Sequence, residues 1–214
     1  MGRPETDSVR HVAMTELGSG LHAAEHYAEA LSVREAVLST IRRLGNKSDY
    51  IMLDEQSKLA NTLDELGRNE EANSMMREVY SGRLKLLGEE DPQTLQVATN
   101  YAISLSALHR LKEARALMRK MMPLARRVLG EDHELTLRMR LVYASAVDGD
   151  VATLDVIRDS VTRLEEIERT ARRVLGGAHP TTDAIEDALQ DARAALRARE
   201  ETQPAAENLA EEVD

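Results

Sequence analysis

One phrase returns four times in this chain, and the spacing of its copies leaves few folds open. The copies are Glu25-His26-Tyr27-Ala28-Glu29-Ala30, Gly67-Arg68-Asn69-Glu70-Glu71-Ala72, His109-Arg110-Leu111-Lys112-Glu113-Ala114 and Gly149-Asp150-Val151-Ala152-Thr153-Leu154. Their first residues lie 42, 42 and 40 positions apart. Seven residues before each stands a small or compact side chain (Gly18, Ala60, Ala102, Val142), preceded by a bulky one (Leu17, Leu59, Tyr101, Leu141). Leu21, Leu63, Leu105 and Ser145 stand four residues before. A second phrase recurs as Leu44-Gly45, Leu87-Gly88, Leu129-Gly130 and Leu175-Gly176. A repeat of this length is one supersecondary unit that cannot bury its apolar stripe alone, so neighbouring copies must stack.

Each copy reads as two helices. The bulky and small columns fall three and four residues apart, on one helical stripe. Ala30, Ala72 and Ala114 let another backbone approach the second helix, whose apolar spacing is clearest at Leu117, Met121, Leu124 and Val128. Met75, Met76, Met118, Met121 and Met122 read as core filler. The Gly after each Leu ends the helix by adopting the left-handed cap conformation without steric cost. Asp91-Pro92 and His179-Pro180 then open the next one, with Pro at a first helical position and Asp91 accepting from exposed amides. No strand-type alternation interrupts the pattern. The expected fold is all-α, with units at about 9–45, 46–88, 89–130 and 131–176 and an Ala-rich capping helix over 177–199. In the fourth unit the second helix is expected to run from Gly149 to Gly176, about 9 Å longer than its counterparts at ~1.5 Å per residue. Residues 1–8 and the acidic stretch 200–214 read as disordered.

Composition narrows the chemistry. The chain has 28 basic and 38 acidic residues, a net charge of −10, no Cys, Trp or Phe and five Tyr. Disulfides, a Cys-based zinc site, a thiolate nucleophile and an aromatic surface for stacking bases are excluded. The acidic balance argues against nucleic acid and anionic membranes as partners. No apolar run approaches the ~18 residues of a membrane span, and no secretory leader is read, so a cytoplasmic location is expected. No phosphate-cradling Gly loop and no Ser/His/Asp set falls into register, so neither an enzyme nor a cofactor is expected.

The stretch Glu16-Leu17-Gly18-Ser19-Gly20-Leu21 followed by Tyr27 and Ala30 resembles a tetratricopeptide repeat. Leu175-Gly176-Gly177-Ala178-His179-Pro180-Thr181-Thr182 is similar in full to the linker between the 42-residue repeats of the kinesin light chain type, and the stretches from Leu87 and Leu129 are similar in part. The resemblance spans roughly residues 9–199. It implies a right-handed α-solenoid of antiparallel helix pairs acting as a non-enzymatic scaffold, with a peptide held in a groove lined by the first helices. Carried over column by column, the groove residues are Glu16 and Ser19, Lys58 and Asn61, Asn100 and Ile103, and Arg140 and Tyr143. Gln96, Ser57, Thr99 and Ser106 add uncharged hydrogen-bonding groups. An Asn amide both donates and accepts, so it can hold a peptide backbone whatever the side chains, and Arg140 can take a carboxylate in two-pronged fashion. Chaperone-binding relatives clamp a C-terminal carboxylate with two Lys, two Asn and one Arg. Asn61, Asn100 and Arg140 occupy three of those columns, while Ser57 and Thr136 stand where the Lys would be.

Two other readings carry sharper chemistry. The chain ends Glu211-Glu212-Val213-Asp214, similar to the signature such clamps read, so it could itself be a chaperone-engaging tail. His22-Ala23-Ala24-Glu25-His26 spells a His-x-x-Glu-His zinc-hydrolase signature, which needs both imidazoles on one helix. The repeat register puts a turn between them. Met1-Gly2 with Thr6 and Asn46-Lys47-Ser48 match loose myristoylation and glycosylation patterns and read as coincidences.

Overall fold

The computed structural model describes residues 4–44, 49–147 and 152–211. Among the described residues, nine helices follow one another without a strand: α1 (Pro4–Ala23), α2 (Tyr27–Leu44), α3 (Asp49–Glu65), α4 (Asn69–Leu87), α5 (Pro92–Ala107), α6 (Leu111–Leu129), α7 (Glu134–Ser145), α8 (Leu154–Val174) and α9 (Pro180–Glu211). The chain is an all-α array of helix pairs. Met1–Arg3, Gly45, Asn46–Ser48, Gly149–Val151 and Glu212–Asp214, which the sequence reading touches, lie outside the described residues.

The repeat is written into the backbone, not only into side chains. Glu25, Gly67 and His109 stand 42 residues apart and all three take left-handed conformations, with φ of 61°, 72° and 55°. Behind them the His26 amide donates to the Leu21 carbonyl and the Arg68 amide to the Leu63 carbonyl, each at 2.9 Å. This six-residue return bond closes a helix and turns the chain toward the next one. Gly88, Gly130 and Gly176 end the second helices at φ of 84°, 98° and 90°. The first helices then start on matching caps. Asp91 Oδ1 accepts from the Gln93 amide at 2.8 Å, His133 Nδ1 from Leu135 at 3.1 Å and His179 Nδ1 from Thr181 at 3.2 Å. Arg68 and Arg110 open the second helices with bidentate pairs to Glu71 and Glu113.

Two compact units divide the chain at His109 and Arg110. In the first, α1 packs on α2, α2 on α3, α3 on α4 and α4 on α5, and α3 also touches α5. Its interior is built from Val37, Leu38, Ile41, Leu59, Leu63 and Ala72. Burying each large aliphatic side chain contributes about 1.5–3 kcal/mol. The approach of α3 to α4 is close: a Cβ on Gly82 would come within 2.6 Å of Leu53 Cδ2. In the second unit α6 packs on α7, α7 on α8, α8 on α9, and α7 also touches α9. Its core includes Leu137, Val161, Leu164, Ile167, Ile185 and Leu189. Met76, Met118 and Met121 are completely buried.

Three boundaries differ from those read in the sequence. Helix α1 begins at Pro4, inside the stretch expected to be disordered, because Pro suits a first helical turn. Helix α9 continues to Glu211, well past 199, through a stretch that includes Pro204. Helix α8 has 21 residues against 19 in α4 and α6, rather than the larger excess expected. It starts only at Leu154, because Thr153 holds extended backbone (ψ 156°) before it.

Candidate functional site

The polar columns read as a ligand face fall on α3, α5 and α7. On α5, Gln96 Nε2 donates to Asn100 Oδ1 at 3.0 Å across one helical turn, and both side chains are half-buried. That bond uses the acceptor of Asn100 and one donor of Gln96. It leaves the Asn100 NH2 and the Gln96 carbonyl oxygen for a ligand. Ile103, three residues on from Asn100, is 40% exposed. No Asp, Glu, Lys or Arg occurs anywhere on α5. Asn61 is half-buried on α3, the helix that touches α5 within the same unit.

Other members of the set are engaged elsewhere. Lys58 Nζ pairs with Asp54 Oδ2 at 2.8 Å and Glu55 Oε1 at 3.3 Å. Burial works against its charge, but the hydrogen bonds and charges of Asp54 and Glu55 outweigh this and raise its pKa above the ordinary value. Thr99 is fully buried and its hydroxyl donates to the Leu95 carbonyl at 2.9 Å, while Ser106 donates to Ala102 at 3.0 Å. Both hydroxyls therefore serve their own helix. Thr136, in the clamp column, is fully buried.

Register decides where Arg140 and Tyr143 stand. The 40-residue step of the phrase aligns them with Asn100 and Ile103. The caps of α5 and α7, however, are Asp91 and His133, 42 apart, so α7 keeps the 42-residue step from its start. Counted that way, Arg140 shares a column with Ala98 and Tyr143 with Tyr101. The two missing residues are lost after the start of α7, which has 12 residues against 16 in α5. Tyr143 lies between second helices: the Arg115 guanidinium sits 4.6 Å and that of Arg163 5.8 Å from its ring centroid. Arg140 is half-buried on the same helix.

Shortening α7 opens a cavity that the site reading missed. It measures about 260 Å³ and is lined by Val147, Ile157, Leu164, Ala188 and Ala192, with Ser145, Ser160 and Asp191 supplying polar atoms. Ser145, the last residue of α7, stands at its mouth.

A buried charged cluster was also missed. Arg34, Glu55 and Arg83 are 4%, 2% and 2% exposed. Thr15 donates to Glu55 Oε1 at 2.9 Å, and Arg34 Nη2 reaches the Gly18 carbonyl at 3.3 Å. Arg83 lies 4.1 Å over the Tyr50 ring and 3.6 Å from Asp54. Burial pulls the Arg34 pKa below its usual value, against the charges of Glu55 and Asp54. Sequence reading had no cause to look here, because these positions belong to core columns.

The zinc-like run is split by the fold. His22 lies in the last turn of α1, Glu25 takes left-handed backbone and His26 precedes α2. The imidazoles are therefore not a turn apart on one helix, as that chemistry needs. His22 Nδ1 instead lies 3.2 Å from the Thr62 hydroxyl, and its ring meets the Tyr27 ring edge-on. Burial and then the nearby Arg34 charge lower its pKa, against a smaller upward pull from Glu65.

Comparison with known proteins agrees with this architecture. Residues 56–93 and 94–134 match the tetratricopeptide repeat family model. No curated protein matches the sequence. Among solved structures, the chain is similar to a putative kinesin light chain from Podosopora anserina with nearly identical TPR-like repeats. The TM-score is 0.69 at 22% identity, covering 97% of this chain and 94% of that one. A single-substitution variant of that protein gives 0.70 at 21% identity, covering 97% and 95%. BtubC (BKLC) from P. vanneervenii gives 0.57 at 16% identity, covering 95% and 85%. Residues 56–134 thus carry two tetratricopeptide repeats, and the chain as a whole shares its fold with repeat structures of the kinesin light chain type.

Proposed function

We propose that the chain is a non-enzymatic adaptor that holds a peptide segment against the first-helix face of its repeats. The tetratricopeptide-repeat fold supports a protein-interaction scaffold, and arrays of this kind create extended binding surfaces from repeated helices. The finer reading rests above all on the Gln96–Asn100 pair. A bonded amide pair on an otherwise uncharged helix is held in one orientation and keeps both a donor and an acceptor, which suits the alternating groups of a peptide backbone. Asn61 adds a second amide within the same unit, and Ile103 an apolar contact. Lys58 acts as a fixed charge set by Asp54 and Glu55 rather than as a mobile contact. In the second unit Arg140 is the candidate ligand group, and Tyr143 a packing residue that stiffens α7. A kinesin-light-chain-like adaptor working in the cytoplasm fits these features.

The test is a displayed random-peptide library selected on the intact chain. A sequence motif should be enriched, and Asn61→Ala with Asn100→Ala should weaken the selected peptides about thirtyfold, at roughly 1 kcal/mol per lost hydrogen bond. Circular dichroism should be unchanged. Selected peptides that bind the double variant as well as the parent would assign them to another surface.

A further inference from the structure

Among the described residues, every first helix except α1 packs on the second helix that precedes it: α3 on α2, α5 on α4, α7 on α6 and α9 on α8. The turns at Glu25, Gly67 and His109 and the caps at Asp91, His133 and His179 set the five first helices in one register. One column then holds Ala13, Glu55, Val97, Met139 and Ile185, and the column one turn on holds Leu17, Leu59, Tyr101, Tyr143 and Leu189. Glu55, Val97, Met139 and Ile185 are buried, while Ala13 is exposed. Leu59 and Leu189 are each 6% exposed, against 54% for Leu17. Three residues further on, Thr62, Ser104 and Ala146 are buried, whereas a Cβ on the exposed Gly20 would meet no atom within 4 Å.

Val9, 70% exposed, continues the stripe one turn before Ala13. Val12, also exposed, borders it where α3, α5 and α7 carry Asp54, Gln96 and Arg138. Apolar residues scattered singly over a surface need no explanation. A stripe that the same fold encloses in its other first helices and leaves open in this one does. In α3 the counterparts of Val9 and Leu17 are Ile51 and Leu59, which pack with Val37, Leu38 and Ile41 of α2. Thr15 and His22 of α1 add contacts to Glu55 and Thr62. The preceding second helix is thus what covers the large side chains of this stripe.

We propose that the Val9–Leu17 stripe of α1 seats an amphipathic helix of a separate polypeptide, in the way α3 takes α2. The contact continues an interface the array already makes between its own repeats. The repeat also specifies the guest. Glu55 of α3 supports the buried charge of Arg34 in α2, whereas Val97 and Met139 follow helices with Met76 and Met118 at the Arg34 position. Ala13 has no charge to offer, and a cation buried beside it would stay unpaired. The guest is therefore of the α4 kind, with a small residue and then large apolar ones, spaced as Ala72, Met76 and Val79 are. A second copy of the chain is a poorer guest, because Ala30, Ala72, Ala114 and Ile157 on its own second helices are already buried. A membrane is poorer too: three large apolar side chains next to exposed Arg10 and Glu16 leave little to insert. The stripe includes no residue of α3, α5 or α7 and is separate from the peptide face proposed above.

The test titrates the intact chain into a fluorescently labelled synthetic peptide of the α4 sequence, residues 69–87, and reads anisotropy. A staple joining positions 74 and 81, both serines on its exposed side, holds the peptide helical. Its three acidic and three basic residues cancel, so binding is expected to be saturable and little changed by salt. Val9→Glu with Leu17→Glu in the chain should weaken it at least about tenfold, because each carboxylate would be buried against apolar surface. Both side chains are exposed in the parent, so this variant should keep the parent's circular dichroism. Val9→Ser with Leu17→Ser should give a smaller loss and serves if the charged variant fails to fold. Met76→Glu in the peptide should weaken binding as much as the charged variant does, and Asn61→Ala with Asn100→Ala in the chain should leave it unchanged. The proposal is overturned if the peptide does not bind, or if the folded charged variant binds it as well as the parent. It is equally overturned if the parent sediments as a dimer that the charged variant makes monomeric, or if phosphatidylcholine vesicles bind the parent more tightly than the peptide does.

Discussion

The interior of the first two repeats and that of the later ones share a backbone plan but not a chemistry. Arg34 in α2 occupies the column that Met76 and Met118 fill in α4 and α6, all of them buried. Glu55 in α3 holds the column of Val97 and Met139, and Arg83 that of Ile41 and Ala125. In the later copies these columns are apolar, whereas each of them carries a buried charge in one of the first two. Moving a charge from water into a protein interior costs several kcal/mol, and its partners have to offset this. Here the offset comes from Thr15, Lys58, Asp54, the Gly18 carbonyl and the Tyr50 ring, contributed by the neighbouring helices of the first unit. The teaching is that the repeat constrains the path of the chain and the volume of a core column. It leaves polarity to whatever the next helix can supply.

The harshest way to break this comparison is to put the early chemistry into a late copy. Met118→Arg places an unpaired cation at a fully buried site and should cost about 4 kcal/mol or more, or leave the second unit unfolded. Urea denaturation followed by circular dichroism measures it. Adding Met139→Glu, the counterpart of Glu55, should recover part of the loss, and no recovery would mean the columns do not pair as the repeat implies. Next in size is Glu55→Val alone. It strips Arg34 and Lys58 of a shared carboxylate and should destabilise by roughly 3 kcal/mol. The combined change Arg34→Met and Glu55→Val, which converts the early interface to the late kind, should be neutral or should stabilise by about 1–2 kcal/mol. A combined loss as large as that of Glu55→Val would show that the charges are better placed than the late apolar set.

A milder contrast concerns Asp64, which shares a column with Ser106. Burial, with Glu65 adding to it, raises the Asp64 pKa to about 6. A carboxyl raised in the folded state favours folding while it is protonated, and that favour is lost as pH rises from about 4 through about 6. Asp64→Asn should therefore raise the melting temperature by a few degrees at pH 7 and change it little at pH 4. A gain of equal size at both pH values would trace the effect to something other than ionisation. The smallest effect is expected at His109, a left-handed residue where the previous copy has Gly67. His109→Gly removes a backbone strain of about 1 kcal/mol and gives part of it back as chain entropy, for a gain of a few tenths of a kcal/mol in thermal unfolding.

Helix content, pairing and turn positions were open to sequence reasoning because each rests on local chemistry repeated at a fixed step. Leu-Gly pairs, the Asp91 and His179 starts and the Ala columns need only their near neighbours. The candidate face was partly readable for the same reason: Gln96 and Asn100 are one turn apart on one helix and meet as spacing allows. Arg140 and Tyr143 were misaligned with that face by a step of two, because the 40-residue interval between phrases conceals a shortened α7 that still begins in the 42-residue register. Thr99 reads as a ligand group only until its hydroxyl is seen bonding its own helix.

By itself the amino-acid sequence determined the all-α pairing, the repeat length and the conformations at its turns, since these follow from backbone sterics and short-range capping. Only the tertiary structure decided which polar residues face solvent and which are enclosed. Arg34 and Arg119 are indistinguishable as sequence symbols, yet one is buried among the first helices while the other stands exposed on α6. The environment of a charge is set by residues tens of positions away that packing brings beside it, and a periodic local code carries no record of them.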